Sequence, residues 1–183
     1  MVLEKLSEWP SQKALKILII SGIIIGIFFL VLMNYYYDLS NYPVLFIESQ
    51  LSFSGAVIKS HFRTMNAEEL YYYLIWTLLD YGYMVGYGTL YFSLSLFVAR
   101  KFEDNSGWRK TGYFAAVFGI AGALCDATEN FFIVLMISDP RGFPDIWAVT
   151  HSCFALVKFI LIITMFIWII VAAIIYLIKR KSS

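Results

Sequence analysis

Four apolar stretches dominate the chain, roughly Leu15 to Tyr36, Leu70 to Val98, Thr111 to Ile137 and Trp147 to Ile178. Each is long enough to cross about 30 Å of hydrocarbon at about 1.5 Å of helical rise per residue. No water is present at that depth to satisfy backbone N–H and C=O groups, so segments of this length are helices. The expected fold class is all-α: an integral membrane four-helix bundle forming one domain over residues 1–183, with no room for a soluble domain. Composition agrees, since 60% hydrophobic and only 15% charged residues lie far from the balance of a soluble globular chain. The apolar run from Ile17 to Met33 is longer than a signal-peptide core. NYYYDLSN follows it in place of small residues suited to cleavage, so it reads as a retained span.

Charge between the spans sets the expected orientation. Lys5, Lys13 and Lys16 precede the first span, Arg100, Lys101, Arg109 and Lys110 fill the second connection, and Lys179, Arg180 and Lys181 follow the last. The first and third connections carry only Lys59, Arg63 and Arg141. By the positive-inside rule both termini and the middle loop are cytoplasmic in a cell membrane. Aromatic rings with polar tips mark the interfaces. Tyr35, Tyr36, Tyr37, Tyr71, Tyr72, Tyr73 and Trp147 are expected in an outer belt, and Trp108, Tyr113 and Tyr176 in an inner one.

One connection is long. Within residues 44–65, Leu51, Gly55, Ile58, Phe62 and Met65 fall on one helical stripe. The pattern predicts a short amphipathic helix on the outer surface of the bundle or in the headgroups. Asn66 followed by Glu69 has capping-box spacing and predicts the start of the second span. Lipid gives helices no hydrophobic reason to associate, so small residues at contacts carry weight. Gly82 and Gly86, and Ala115, Gly119 and Ala123, are expected at intramolecular interfaces, whereas Gly22 and Gly26 read as the ordinary abundance of glycine in membrane helices. None of the four prolines lies within a span, which argues against the broken helices of many secondary transporters.

Against this background LCDATENFFIVL, Leu124 to Leu135, is anomalous. Insertion scales charge about 2.5–3.5 kcal/mol for Asp at a helix centre and return about 0.3–0.6 for each large apolar residue. A span with two acids needs partners. Counting down from the outer ends, Asp80 of the second span, Asp126 and Glu129 of the third and Lys158 of the fourth reach one layer, in the outer half of the membrane or near its middle. Faces agree too: Asp126, Glu129 and Asn130 share one side of the third helix, and Thr77, Asp80 and Tyr87 share one side of the second, with Tyr83 adjacent. His151 and Lys158 point nearly the same way on the fourth. Three carboxylates then face one certain cation and a histidine. Burial disfavours charge, so one or two acids hold a proton, or a bound cation supplies the missing charge.

These residues are the candidate site, because ionisable groups inside a membrane are functional by default. Lys158 is expected to pair with Asp80 or Asp126, Glu129 to be the titrating group, and Asn130, Tyr83 and Tyr87 to orient the acids. Thr77 and His151 complete the lining, with His151 near the outer mouth. Purely structural interhelical polar contacts would use the same residues. Cys125 and Cys153 sit at different depths and are not expected to pair. His61 reads as a solvated or interfacial residue. The chain has no phosphate loop, nucleophile elbow or Cys/His metal motif, so no cofactor or metal is expected. Its basic clusters flank spans, which excludes a nucleic-acid footprint.

DYGYMVGY, Asp80 to Tyr87, DATEN, Asp126 to Asn130, and ALVKF, Ala155 to Phe159, together resemble motifs of a dispersed group of small prokaryotic four-span membrane proteins. Those carry Asp-Tyr in the second span, Asp-x-x-Glu-Asn in the third and a Lys in the fourth. The resemblance implies the four-span architecture and the grouping of Asp80, Asp126, Glu129, Asn130 and Lys158; it implies no activity. The expected function is binding or conducting a small cation, a proton or a polar lipid headgroup through a site open to the outer face. Expected partners are membrane lipids and a second copy of the chain. The alternatives are an intramembrane acid/base enzyme acting on a lipid-soluble substrate, and a structural or assembly subunit.

Overall fold

Six helices and no strand make up residues 5–181, which the computed structural model describes. Helix α1 runs Gln12–Ser40, α2 Phe46–Gln50, α3 Gly55–Thr64, α4 Ala67–Ala99, α5 Gly107–Ser138 and α6 Asp145–Lys181. Helices α1, α4, α5 and α6 contain the four expected spans and are long and apolar enough to cross a membrane. The chain is thus an all-α four-helix bundle suited to a multi-pass membrane protein. One end of the bundle carries the basic α4–α5 connection and the C-terminal Lys179, Arg180 and Lys181; α2 and α3 cover the other. We call these the basic end and the capped end.

Local signals place the helix starts. Ser11 caps α1 through Ala14 N (3.2 Å) and Ser106 caps α5 through Trp108 N (3.3 Å). The capping box at α4 is complete: Asn66 accepts from the amides of Glu68 and Glu69, and the Glu69 carboxylate accepts from Asn66 N at 2.8 Å.

The spans pack in the order α1, α4, α5, α6, with a narrower contact between α4 and α6. Helix α1 lies along α4 and buries only a seam of Leu15, Gly22, Gly26, Met33 and Ser40; its remaining faces are apolar and exposed, as lipid contact requires. That seam corrects the reading of Gly22 as background, whereas Gly26 has room for a Cβ of its own. A Cβ on Gly22 would lie 2.8 Å from the Gly86 carbonyl oxygen, and a Cβ on Gly86 would lie 2.5 Å from Gly26 N. At Gly22 and Gly86 the two backbones approach too closely for a side chain. Gly82 faces the Phe29 ring and Gly86 the Gly26 backbone, so the second small-residue set marks the contact with α1, while Gly119 faces Tyr91 and Ala123 faces Gly88, so the third set marks the contact between α4 and α5.

At the capped end the expected amphipathic segment is two helices. Ser54 caps α3 through Val57 N (3.4 Å), and Phe53 adopts a left-handed conformation with φ 51°. The stripe therefore breaks before Gly55. Ile58, Phe62 and Met65 are buried as expected, while Leu51 is 36% exposed. The segment packs on protein: its apolar residues join Tyr42, Tyr73, Trp76, Ile133, Met136 and Phe143 in one cluster. Tyr73, expected in an interfacial belt, stacks on Tyr42 (4.4 Å, 9°) inside that cluster. Tyr113, expected in the opposite belt, is also buried. An ion pair from Lys59 to Asp145 (2.7 Å) ties α3 to the start of α6.

Candidate functional site

Helices α4, α5 and α6 bring Asp80, Asp126, Glu129, Asn130, His151 and Lys158 together, every one of them at least nine-tenths buried. Helix α1 contributes none of them. Helical repeat explains the convergence. Asp126, Glu129 and Asn130 occupy one face of α5, whose narrow contact with Gly88 draws α4 close. On α6, His151 and Lys158 are two turns apart and meet the same α5 face.

Lys158 is the hub. Its Nζ donates to Asp126 Oδ1 at 2.8 Å and lies 2.6 Å from Glu129 Oε2. The expected choice between Asp80 and Asp126 resolves to Asp126, with Glu129 as the second partner. Asp80 is held elsewhere: Asn130 Nδ2 donates to its Oδ2 at 2.8 Å and, more weakly, to the Thr77 carbonyl at 3.4 Å. Tyr87 donates to Asp126 Oδ2 at 2.8 Å. Asn130 and Tyr87 thus orient acids as expected. Tyr83 does not: its ring packs edge to face on Tyr87 (5.3 Å) and it makes no hydrogen bond to the acids among the described residues. Thr77 turns its hydroxyl back onto the Tyr73 carbonyl (2.9 Å), so its contribution to the layer is a backbone oxygen.

His151 is enclosed by protein, unlike a residue lining an open mouth. It is 2% exposed, with Nδ1 3.4 Å from the Glu129 carbonyl oxygen and 3.9 Å from Glu129 Oε1. Three acceptor atoms in this layer, both Glu129 carboxylate oxygens and Asn130 Oδ1, have no hydrogen-bond donor among the described residues, and of these only Glu129 Oε2 meets the Lys158 ammonium. Burying such atoms is unfavourable unless a donor or a positive charge meets them.

Aromatic packing closes the layer toward the capped end, the side of the expected opening. Toward the capped end Tyr73, Trp76, Ile133, Met136 and Ala148 lie on the same three helices just beyond the acids, and Phe62 and Phe143 pack over them. That aromatic plug separates the layer from the expected outer mouth. Toward the basic end the rings of Tyr83, Tyr87 and Tyr91 follow one another at 5.3 and 5.7 Å along α4.

Two features escaped sequence reading. Tyr81 donates to the Ala127 carbonyl (3.1 Å) and helps line an apolar groove of about 340 Å³ between α4 and α5, with Met84, Val85, Gly88, Ala123 and Ala127. The tyrosine beside Asp80 in DYGY was its only signal. His61 is not simply solvated: its Nδ1 is 3.3 Å from Ser49 Oγ and 3.4 Å from Tyr42 OH, and those two hydroxyls are 2.6 Å apart. Burial pushes the Tyr42 hydroxyl up to about 12 and lowers the His61 imidazole, the latter partly offset by Glu48. Cys125 and Cys153 are both free thiols. No family model, curated protein or solved structure matches the chain, so its chemistry is read from this geometry and its motifs.

Proposed function

We propose that this multi-pass membrane protein takes up and releases protons at the carboxyl layer enclosed by α4, α5 and α6. The charge count carries the reading: Asp80, Asp126 and Glu129 are buried around the single ammonium of Lys158. Fully ionised, the layer would hold more negative charge than a low-dielectric interior sustains. Protons answer the excess better than a metal ion does. The Lys158 ammonium already occupies the space between Asp126 and Glu129, and no three His, Cys, Asp or Glu side chains among the described residues are arranged to hold a metal. A proton on Glu129 Oε1 would also remove the charge from an unsatisfied oxygen that the Lys158 ammonium does not reach.

With the capped end plugged, exchange runs along Tyr87 and Tyr91 toward the basic end. In this reading that end, with its ten basic residues flanking spans, faces the cytoplasm. Infrared difference spectroscopy in lipid nanodiscs detects protonated carboxyl groups by their C=O stretch. Wild-type protein is expected to show such a band at neutral pH, and Glu129→Gln to lose part of it while unfolding remains cooperative. A wild-type spectrum without any protonated-acid band at neutral pH overturns the proposal.

A second reading rests on the lateral groove. It runs beside the acids, since Tyr81 follows Asp80 and Ala127 follows Asp126, and it would seat a lipid-soluble substrate for acid/base chemistry. Val85 is 60% exposed on its rim, so Val85→Trp fills the groove without entering the core. Loss of a co-purifying lipid from this variant, with an unchanged carboxyl band, favours the enzyme reading.

A further inference from the structure

At the basic end, the α4–α5 connection and the last turns of α6 enclose a cleft of about 360 Å³, lined by Lys101, Phe102, Glu103, Ser106, Tyr176, Lys179 and Arg180. We propose that this cleft binds a phosphate-bearing anion, supplied by the headgroup of an anionic lipid in the adjoining leaflet.

Charge is the first argument. Three cations and one carboxylate line the cleft, and the cations come from two segments far apart in sequence that only the fold unites. Flanking charge is enough to orient a span, but it does not require convergence on one hollow. The neighbouring Arg109 is already committed: it pairs with Asp104 and donates to the Tyr113 hydroxyl (2.7 Å) and the Phe102 carbonyl (3.2 Å). Lys101 and Arg180 differ, because neither has a carboxylate within ion-pair distance among the described residues. Lys101 instead places its ammonium 4.7 Å from the Phe97 ring centroid.

Shape and depth are the second. Phe102 and Tyr176 meet edge to face at 6.3 Å, and Trp108 stacks on Phe102. The Arg109 bond to the Phe102 carbonyl fixes this wall. An amphipathic wall at the end of a spanning helix is suited to the headgroup level, where lipid phosphates lie. Ser106 on the rim is the N-cap of α5, so the positive end of a 32-residue helix also opens there. Basic pockets between spanning helices are established seats for anionic headgroups, and each Lys or Arg near such a surface contributes measurably. At the capped end Lys59, by contrast, is paired with Asp145.

The test compares wild type with the Lys101→Gln/Arg180→Gln double variant. Both substituted side chains are exposed, so melting in neutral phosphatidylcholine should match wild type. Each protein is placed in nanodiscs of phosphatidylcholine with a minor fraction of phosphatidylglycerol, and retained lipid is counted by native mass spectrometry. Wild type is expected to retain phosphatidylglycerol selectively, and the double variant to bind it about thirtyfold more weakly. Lys59→Gln should retain it as wild type does. A second arm adds inorganic phosphate to protein in neutral detergent: stabilisation by phosphate, absent from the double variant, assigns the site to a free phosphate compound rather than to lipid. Wild type showing neither phosphatidylglycerol selectivity nor phosphate stabilisation, or a double variant that retains both, overturns the proposal.

Discussion

Lys158 is covered on one side by Asp126 and on the other by Glu129, which makes it the most sensitive side chain in the membrane layer. Lys158→Met leaves buried acids without their countercharge and should cost about 3–5 kcal/mol, read from unfolding in detergent. Adding Asp126→Asn and Glu129→Gln should recover much of that loss, because neutral amides remove the uncompensated charge. Tyr87→Phe deletes one hydrogen bond to a carboxylate and should cost about 1.5–3 kcal/mol. At the capped end His61 gives a pH prediction. Its imidazole is lowered by burial, so the unfolded segment binds a proton more readily than the native one. The resulting stability is present above the ordinary imidazole value near 6.5 and is lost as pH falls through it. Limited proteolysis of the α2–α3 segment should therefore quicken on acidification, and His61→Asn should flatten that response.

Contacts between helices depend on backbone approach more than on side-chain bulk. Gly86→Ala would place a Cβ 2.5 Å from Gly26 N, a backbone atom that cannot swing aside, whereas a Cβ on Gly26 meets nothing within 4 Å. Gly86→Ala should therefore destabilise by about 1–3 kcal/mol. Gly26→Ala should be neutral or stabilising, because alanine is favoured over glycine in a helix. Equal melting temperatures for the two variants would contradict the seam. Sequence showed the four spans and the Asn66–Glu69 box because apolar length and capping are local properties. It showed Gly-x-x-x-Gly at α1 but not its use, since the partner is α4. The stripe from Leu51 to Met65 was legible as amphipathic, yet its break was not. The Ser54 cap and the left-handed Phe53 compete with a continuous helix, and docking on α6 and Phe143 decides between them.

For the whole molecule, an even number of spans requires both termini and the α4–α5 connection to lie on one side. In a background lacking Cys125 and Cys153, a cysteine at Asn105 should be shielded from an impermeant thiol reagent in intact cells. One at Arg141 should react. The reverse pattern would invert the orientation, and reaction at both would break the four-span topology. The same architecture explains why α1 is apolar on nearly every face: it flanks α4 beside a three-helix unit that holds the buried ionisable side chains found among the described residues.

Sequence alone determined that this chain is helical, how many helices are long and apolar enough to cross a membrane, and that Asp80, Asp126, Glu129 and Lys158 fall at one level of the bundle, because apolar length and helical rise are additive along a chain. It also placed the acids on single faces. Pairing was decided only by tertiary structure. Lys158 bonds Asp126 and Glu129, Asp80 turns to Asn130, and an aromatic plug replaces the expected outer mouth. Each of these depends on the rotation of one helix against another, and that rotation is set by contacts between residues distant in sequence.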